Sequence, residues 1–161
     1  MSTIKDYSAE EWKAISGAPV AAGLLITLSD ASGPVGIAKE AMAVGKAISQ
    51  SAVADASELV KAIAESAKPG GGRPELPEVP TGDRAKATEA LLGVIRNAVA
   101  AVQAKSPAEV QGYKTWLASV ATKVSQASKE GGFLGIGGTL VSREEQDALK
   151  QLADVLGVSP S

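Results

Sequence analysis

The chain has 161 residues, of which 45% are hydrophobic but only 3% aromatic, and its formal net charge is -2. A chain of this length normally forms one domain with a real core. A charge so close to zero excludes nucleic-acid binding by electrostatics. The sequence has no cysteine and no histidine, which excludes disulfides, Cys/His zinc sites and mechanisms that use a histidine base.

The beginning of the chain, MSTIKDYSAEEW, has no apolar run behind a basic region, so no signal peptide is expected. The longest apolar stretch, Ala18–Leu28, has about a dozen residues, fewer than the roughly 20 that span a bilayer. We therefore expect a soluble, cytoplasmic protein that does not associate with membranes.

The hydrophobic residues follow a helical pattern. Alanine and glycine supply much of the hydrophobicity, apolar residues recur at spacings of three and four, and strand-like alternation is nowhere sustained. Small side chains let helix backbones approach each other closely. The sequence therefore predicts an all-α, single-domain bundle of five to seven helices that spans residues 1–161.

The stretch Ser8–Asp30 predicts a central helix. Its apolar residues fall at alternating spacings of three and four, and its leucines extend the apolar surface around the remaining faces. A helix that is apolar on most sides is one that other helices cover. Pro19 within this pattern predicts either a kink near Gly17–Pro19 or a break, with a second helix that starts at Pro19.

The start of this helix carries two local signals. Ser8 and Glu11 are spaced for a capping box, in which each side chain bonds the backbone N–H of the other residue. Tyr7 and Trp12 stand at the positions of a hydrophobic staple. These signals predict a well-defined helix start.

The next segment, residues 34–67, also has helical spacing, and Pro34 suits the first turn of a helix. One helix over this range would be about 50 Å long, which exceeds the usual length in a small domain. We expect a break or bend near Ser49–Ser51.

A connector follows at residues 69–80, where PGGGRPELPEVP holds four prolines and three glycines. No helix or central strand survives that composition. Two interpretations are open, an interdomain linker and a long loop within one domain, and the thin core on either side favours the loop.

Three helices are predicted in the second half of the chain. The first runs from Thr81 to Lys105, and the second begins at Ser106 with Pro107 in its first turn and ends at Gly131–Gly132. The last begins with a capping box of Ser142 and Glu145. It ends at a glycine C-cap, Gly157.

A weak internal repeat is present. Trp12 and Trp116 each lie in a helix followed by a turn and a second helix, with Glu40 in one second helix and Glu144 and Glu145 in the other. This pattern suggests a duplicated helical hairpin. At helical spacing, we expect both tryptophans to be core anchors.

The glycine-rich segment GGFLGIGG, Gly131–Gly138, contains Phe133, Leu134 and Ile136. It lacks the context of a dinucleotide fingerprint and the Lys-Ser/Thr of a P-loop. Three interpretations are open: a loop whose apolar side chains plug the end of the bundle, a hydrophobic tip that faces a partner or a membrane, and a ligand loop that uses backbone N–H groups.

Two acidic groups lie near loops, Asp30 with Glu40, and Glu145 with its neighbours Glu144 and Asp147. Without histidine, a metal site would have oxygen ligands only, as for Ca²⁺, Mg²⁺ or Mn²⁺. The structural interpretation is that Asp30 supports a turn and Glu145 caps a helix. The alternative interpretation is that carboxylates of these two groups bind a metal ion.

Both ends of the chain carry a resemblance. The start, YSAEEWKAISGAP with SGPVGIAKEAMAVGKAI, and the end, with GGFLGIGGTLVSREE, resemble a group of small bacterial all-helical proteins from which no function can be carried over. More distantly, the helical hairpin with an acidic turn is similar to the TerB-like tellurite-resistance family. That resemblance implies an all-α fold, metal binding through acidic residues and a link to stress-response complexes. Asp30, Glu40 and Glu145 could match the acidic positions, but the second loop has glycines where an Asp would be wanted.

The expected function rests on the absence of catalytic residue sets and on the resemblance to TerB-like proteins. The usual nucleophile–base sets are missing, so we expect no enzyme. We expect a non-enzymatic interaction or assembly protein, stress-related and self-associating through an apolar face, with a protein partner or a second copy and no cofactor. The alternative is a TerB-like acidic module that binds a divalent metal ion.

Overall fold

The computed structural model describes residues 4–29, 44–50, 57–66, 79–80, 82–130 and 143–159. A short 3-10 turn, Ile4–Asp6, precedes six α-helical segments, and the described residues contain no strand. The helices are α1 (Ala9–Ser29), α2 (residues 44–50), α3 (Glu58–Ser66), α4 (Arg84–Lys105), α5 (Pro107–Glu130) and α6 (Arg143–Leu156). The predicted all-α bundle of five to seven helices is confirmed.

Helix α1 is the central helix. It packs most extensively against α4 and then against α5, with further contacts to α6 and α3. Ile15, Leu25 and Ile26 on α1 are almost fully buried, and they belong to one apolar cluster to which all six helices contribute. The prediction of a helix covered by its neighbours is confirmed, because only a central position buries an element that is apolar on most sides.

The same helix is long and apolar enough to cross a membrane by length and composition. Its 21 residues include a window with a mean hydropathy of 1.2, and 61% of that window is buried inside the bundle. The sequence-based expectation considered only residues 18–28 and so underestimated the length of the segment. A single buried helix near the N-terminus is weak evidence for a membrane span, because the core helix of a soluble protein has the same properties.

The predicted helix start is confirmed. The backbone N–H of Ser8 donates to Glu11 Oε2 at 2.7 Å, and the N–H of Glu11 donates to Ser8 Oγ at 3.2 Å. The rings of Tyr7 and Trp12 lie on either side of this capping box, with centroids 6.2 Å apart. The staple fixes the direction in which the chain enters α1.

Pro19 does not end the helix. Helix α1 runs without interruption through Pro19. Of the two predicted alternatives, the break with a second helix starting at Pro19 is therefore wrong, and the kink near Gly17–Pro19 stays a prediction. Proline has no N–H and leaves the carbonyl of Ile15, four residues earlier, without its helical donor. The hydroxyl of Tyr113 on α5 donates to that carbonyl at 2.8 Å, and this bond is buried. A tertiary contact therefore replaces the missing helical bond.

Residues 34–67 do not form one helix. Residues 49 and 50 are helical in α2, whereas Ser57 is not, and a separate helix, α3, begins at Glu58. The predicted break is therefore confirmed. It lies between residues 50 and 57, of which residues 51–56 are outside the described residues. Ser57 begins α3 by accepting from the Val60 N–H with its hydroxyl at 3.4 Å. The carboxylate of Glu109 on α5 accepts from the Leu59 N–H at 3.2 Å. The start of α3 is therefore fixed by one local bond, from Ser57, and by one tertiary bond, from Glu109.

The later helices begin and end close to the predicted residues. Helix α4 starts at Arg84 and not at Thr81, because the Asp83 carboxylate accepts from the Lys86 N–H at 3.1 Å and caps the helix there. Helix α5 starts at Pro107 as predicted. The predicted C-cap of α6 is confirmed, since Gly157 has a φ of 65° and Val158 N–H donates to the Ala153 carbonyl at 3.1 Å.

Several predictions fall outside the described residues. These are most of the connector at 69–80, the glycines at 131–138, Ser142 of the capping box with Glu145, Asp30 as a turn residue, and the helix start at Pro34.

Candidate functional site

The start of α1 meets the α4–α5 junction in a polar cluster, which we call the N-terminal corner: Asp6, Tyr7, Glu11, Lys105 and Ser106. Lys105 Nζ donates to Glu11 Oε2 at 2.7 Å and to the Asp6 carbonyl at 3.0 Å. It also lies 5.8 Å from the centre of the Tyr7 ring. The hydroxyls of Tyr7 and Ser106 are 2.8 Å apart in a buried hydrogen bond. The corner thus ties residues 6–11 to residues 105–106.

Charge and burial have opposite effects on two side chains in this region. The hydrogen bond from Lys105, followed by the one from the Ser8 N–H, lowers the pKa of the Glu11 carboxyl. Burial raises the pKa of Tyr113 well above its usual value, with a smaller contribution from Tyr7. Glu11 is held as a carboxylate and Tyr113 as a neutral donor. Glu11 is bonded to Lys105 and to the Ser8 N–H, and Tyr113 is bonded to the Ile15 carbonyl, so both side chains hold parts of the fold together.

Glu11→Gln is expected to change the pH dependence of stability. Because the folded-state pKa of Glu11 is lowered, its contribution is present above the unfolded-state pKa and is lost as pH falls through the folded-state value. Urea unfolding should therefore show the variant to be less stable than the parent at pH 7 and nearly equal to it at acidic pH. Glu10→Gln, at the exposed neighbouring position, is the matched control. An equal deficit at both pH values would contradict the assignment.

A groove of about 640 Å³ lies at the opposite end of α1, between the end of α1, the start of α4 and the start of α6. Leu25, Leu92 and Ala148 are among the apolar residues that line it. The charged residues of its lining are Arg84, Glu89, Glu144 and Asp147. Acidic groups therefore outnumber basic ones around this groove, which we call the acidic groove.

Two of these charged residues have partners within the chain. Arg84 donates to the Leu28 carbonyl, and Glu89 pairs with Arg96 at 2.8 Å. Glu144 and Asp147 stand one turn apart at the start of α6 and are exposed. Together with Glu89, which is also exposed, these two carboxylates make up the acidic lining of the groove.

Of the three candidate metal ligands, Glu145 lies within the described residues. Asp30 and Glu40 lie outside the described residues, although Ser29, directly before Asp30, lines the acidic groove. Glu145 is only 4% exposed and is absent from the groove lining, where its neighbours Glu144 and Asp147 stand. Within the described ranges, no group of three His, Cys, Asp or Glu side chains could hold a metal ion.

The predicted interaction residues Phe133, Leu134 and Ile136 lie outside the described residues. The prediction for the tryptophans can be tested. Trp116 is 6% exposed and packs in the core beside Tyr113, with ring centroids 6.2 Å apart. Trp12 is half-buried and packs against the same core. Both therefore act as core anchors, as predicted.

One surface was missed by the sequence-based interpretation. The outer face of α5 carries a row of uncharged polar side chains, which we call the α5 stripe: Gln111, Thr115, Ser119, Thr122 and Gln126. Together with residues 157–159 after α6, this face encloses a cleft of about 650 Å³. The signal was present in the sequence as spacings of three and four, on the side of α5 opposite the buried Tyr113, Leu117, Val120 and Val124.

Charge distinguishes the α5 stripe from the outer faces of the neighbouring helices. Exposed residues of α4 include Arg84, Lys86, Glu89 and Arg96, and those of α6 include Arg143, Glu144, Asp147 and Lys150. The α5 stripe offers hydroxyls and amides as hydrogen-bonding groups. The Thr122 hydroxyl already donates to the Ala118 carbonyl at 3.0 Å, which leaves its oxygen to accept. A surface of this kind can bind a partner by hydrogen bonds and close packing without pairing of charges.

Comparison with known proteins adds no relative. No family model matches the chain, and no curated protein and no solved structure matches it significantly. The resemblances to a bacterial all-helical group and to TerB-like proteins therefore stay predictions.

Proposed function

We propose that this chain is a non-enzymatic interaction or assembly protein that associates with itself. The observation that supports the proposal is the α5 stripe, a partly exposed and uncharged row of polar side chains that forms one wall of an open cleft. Its surface is polar, whereas the sequence-based expectation was an apolar face. Helices can associate through such faces because small side chains allow close approach and hydroxyls and amides bond across the contact.

The chemistry of the described side chains agrees with a binding role. The ionisable groups of the N-terminal corner are engaged with one another, and Tyr113 is bonded to a backbone carbonyl. The strongest pKa shift belongs to Tyr113, a buried residue in the core. Its shift has a structural cause, burial. The resemblance to TerB-like proteins extends the proposal to a place in stress-response complexes, which copurification from the native host would test.

Sedimentation velocity over a wide concentration range tests the proposal. The expected result is a weight-average mass that rises with protein concentration, with a dissociation constant of order micromolar, or about -8 kcal/mol. A mass equal to one chain at all concentrations would overturn it. Low and high salt should give similar results, because an uncharged interface is weakly screened.

The second candidate function is a TerB-like acidic module that binds a divalent cation. It is favoured by one observation, the two exposed carboxylates Glu144 and Asp147 in the acidic groove next to Ser29. Calorimetric titration with Ca²⁺, Mg²⁺, Mn²⁺ and Zn²⁺ tests it. Binding that disappears in the Glu144→Gln, Asp147→Asn double variant would support this function, and no binding heat with any of the four ions would exclude it.

A further inference from the structure

The order of side chains along the α5 stripe is symmetric. Counted outward from the point between Ala118 and Ser119, the stripe and the adjoining Ala118 give a small residue, then threonine, then glutamine in both directions: Ser119, Thr122 and Gln126 one way, and Ala118, Thr115 and Gln111 the other. Thr115 and both glutamines are exposed, whereas Ala118, Ser119 and Thr122 are half-buried. All six line the same cleft.

A two-fold axis between two copies of α5 would place matching side chains opposite each other. When two copies of one helix pack antiparallel about an axis between residues 118 and 119, each residue lies opposite the one equally far on the other side of that point. Thr115 then faces Thr122 of the second copy, and Gln111 faces Gln126. Hydroxyl meets hydroxyl and amide meets amide. The Thr122 hydroxyl donates to the Ala118 carbonyl of its own helix at 3.0 Å, so it accepts from Thr115 of the second copy, and each glutamine amide can both donate and accept.

We propose that two copies of this chain associate through this surface, with their α5 helices antiparallel and the two-fold axis between Ala118 and Ser119. The inference rests on the proposed self-association and names its interface. A second copy is the occupant because the complementarity is that of the stripe with itself, as an isologous contact requires.

Helix geometry agrees with this arrangement. At about 100° per residue, all six side chains fall within about 50° of one line along α5. The smallest of them, Ala118 and Ser119, lie at the centre, where two helices approach most closely, typically to about 8 Å between axes. Lys123 also lines the cleft, but it lies about 90° from that line, at the rim, where its ammonium can stay in water.

The second wall of the cleft adds to the contact. Residues 157–159 follow the C-cap of α6, and Val158 among them is a half-buried apolar side chain. One helix pair with this short wall is smaller than a standard interface of about 1,600 Å². We therefore expect a reversible dimer with a dissociation constant in the micromolar range.

Cysteine cross-linking tests both the surface and its register, because the natural chain has no cysteine. In the proposed dimer, Ser119→Cys places two thiols next to the two-fold axis, about 1.5 Å apart along the helix direction. This variant should therefore form a disulfide-linked dimer by itself. Two Thr115→Cys chains would hold their thiols about 10 Å apart along the helix direction. That is more than the roughly 7 Å between Cα atoms that a disulfide spans. The same holds for Thr122→Cys.

Mixing two cysteine variants distinguishes an antiparallel from a parallel arrangement of the two α5 helices. Thr115→Cys and Thr122→Cys chains, one of them with a size tag, should each fail to cross-link alone and should form a mixed disulfide when combined. Gln103→Cys, at an exposed position on α4, is the control for random collision. Far-ultraviolet circular dichroism checks that each variant keeps the helical content of the parent.

The outcomes distinguish the proposed α5 interface from self-association through another surface. Cross-linking of Ser119→Cys alone, together with the mixed Thr115/Thr122 product, supports the proposal. Efficient cross-linking of Thr115→Cys alone, or of Gln103→Cys as readily as Ser119→Cys, overturns it. A parent chain that sediments as an oligomer while Ser119→Cys does not cross-link overturns this interface but leaves self-association standing. A parent chain that is monomeric overturns both.

Discussion

Tyr113→Phe is expected to lower the free energy of unfolding by about 2 kcal/mol, because it leaves the buried Ile15 carbonyl without a donor. The Tyr113 hydroxyl donates to that carbonyl at 2.8 Å, and Tyr113 is 0% exposed. Phenylalanine keeps the ring and its contact with Trp116, so the loss reports the hydroxyl alone. Urea unfolding at pH 7, with an unchanged denaturant slope, measures it.

Pro19 supplies the control for this prediction. Pro19→Ala restores the backbone N–H that a helix directs to the Ile15 carbonyl. In that background, Tyr113→Phe should cost about 1 kcal/mol less than in the parent, which a double-mutant cycle detects as coupling between residues 19 and 113. If the two effects simply add, the hydroxyl does not replace the missing helical bond.

High pH provides a second readout of the same residue. Because burial raises the folded-state pKa of Tyr113, its contribution to stability is complete below the unfolded-state pKa of about 10 and is lost as pH rises above it. Tyr113→Phe should therefore reduce the loss of stability between neutral and alkaline pH. Tyr7 is present in both proteins, and so cancels in the comparison.

Gly23→Ala is expected to destabilise the fold by about 1–3 kcal/mol, although alanine is the better helix former. A Cβ at residue 23 would lie 2.5 Å from Val44 Cγ2 and 2.9 Å from Val44 Cγ1. The valine is branched at Cβ, so rotation brings one methyl group in as it takes the other away. The clash therefore has to separate α1 from α2.

Two variants test this explanation. Gly93→Ala adds a Cβ in α4 with no atom within 4 Å and should stabilise the protein by about 0.5–1 kcal/mol. Val44→Ala combined with Gly23→Ala should recover part of the stability that Gly23→Ala loses. Thermal or urea unfolding measures all three, and a Gly23→Ala protein as stable as Gly93→Ala would show that α1 and α2 are not in close contact there.

Local signals in the sequence predicted most of the fold. The capping box of Ser8 and Glu11 and the C-cap at Gly157 depend on residues within about one turn of each other, so the sequence contains the whole interaction. The start of α5 was predicted from Ser106 and Pro107, although the Ser106 hydroxyl bonds Tyr7, 99 positions away. The start of α4 was misplaced because Asp83, three residues before Lys86, was overlooked as the N-cap. Helix periodicity alone identified α1 as central, since its apolar residues cover most of its circumference.

Interactions between distant residues were not predictable in the same way. The continuity of α1 through Pro19 depends on Tyr113, 98 positions from Ile15, and the start of α3 depends on Glu109, 50 positions from Leu59. Neither pair has a pattern of spacing that a sequence displays. The α5 stripe was visible in the sequence as uncharged residues at helical spacing, but its meaning depends on the cleft that the end of α6 completes.

Amide hydrogen exchange of α1 in water, without detergent, tests the central claim that this helix is the core around which the others pack. We expect residues 20–26 to have the slowest-exchanging amides of the described helices, and to open only with global unfolding. Tyr113→Phe should accelerate their exchange by the same free energy that urea unfolding measures. Exchange of these amides as fast as that of the exposed turns of α6 would show that α1 is open to water and would contradict the account.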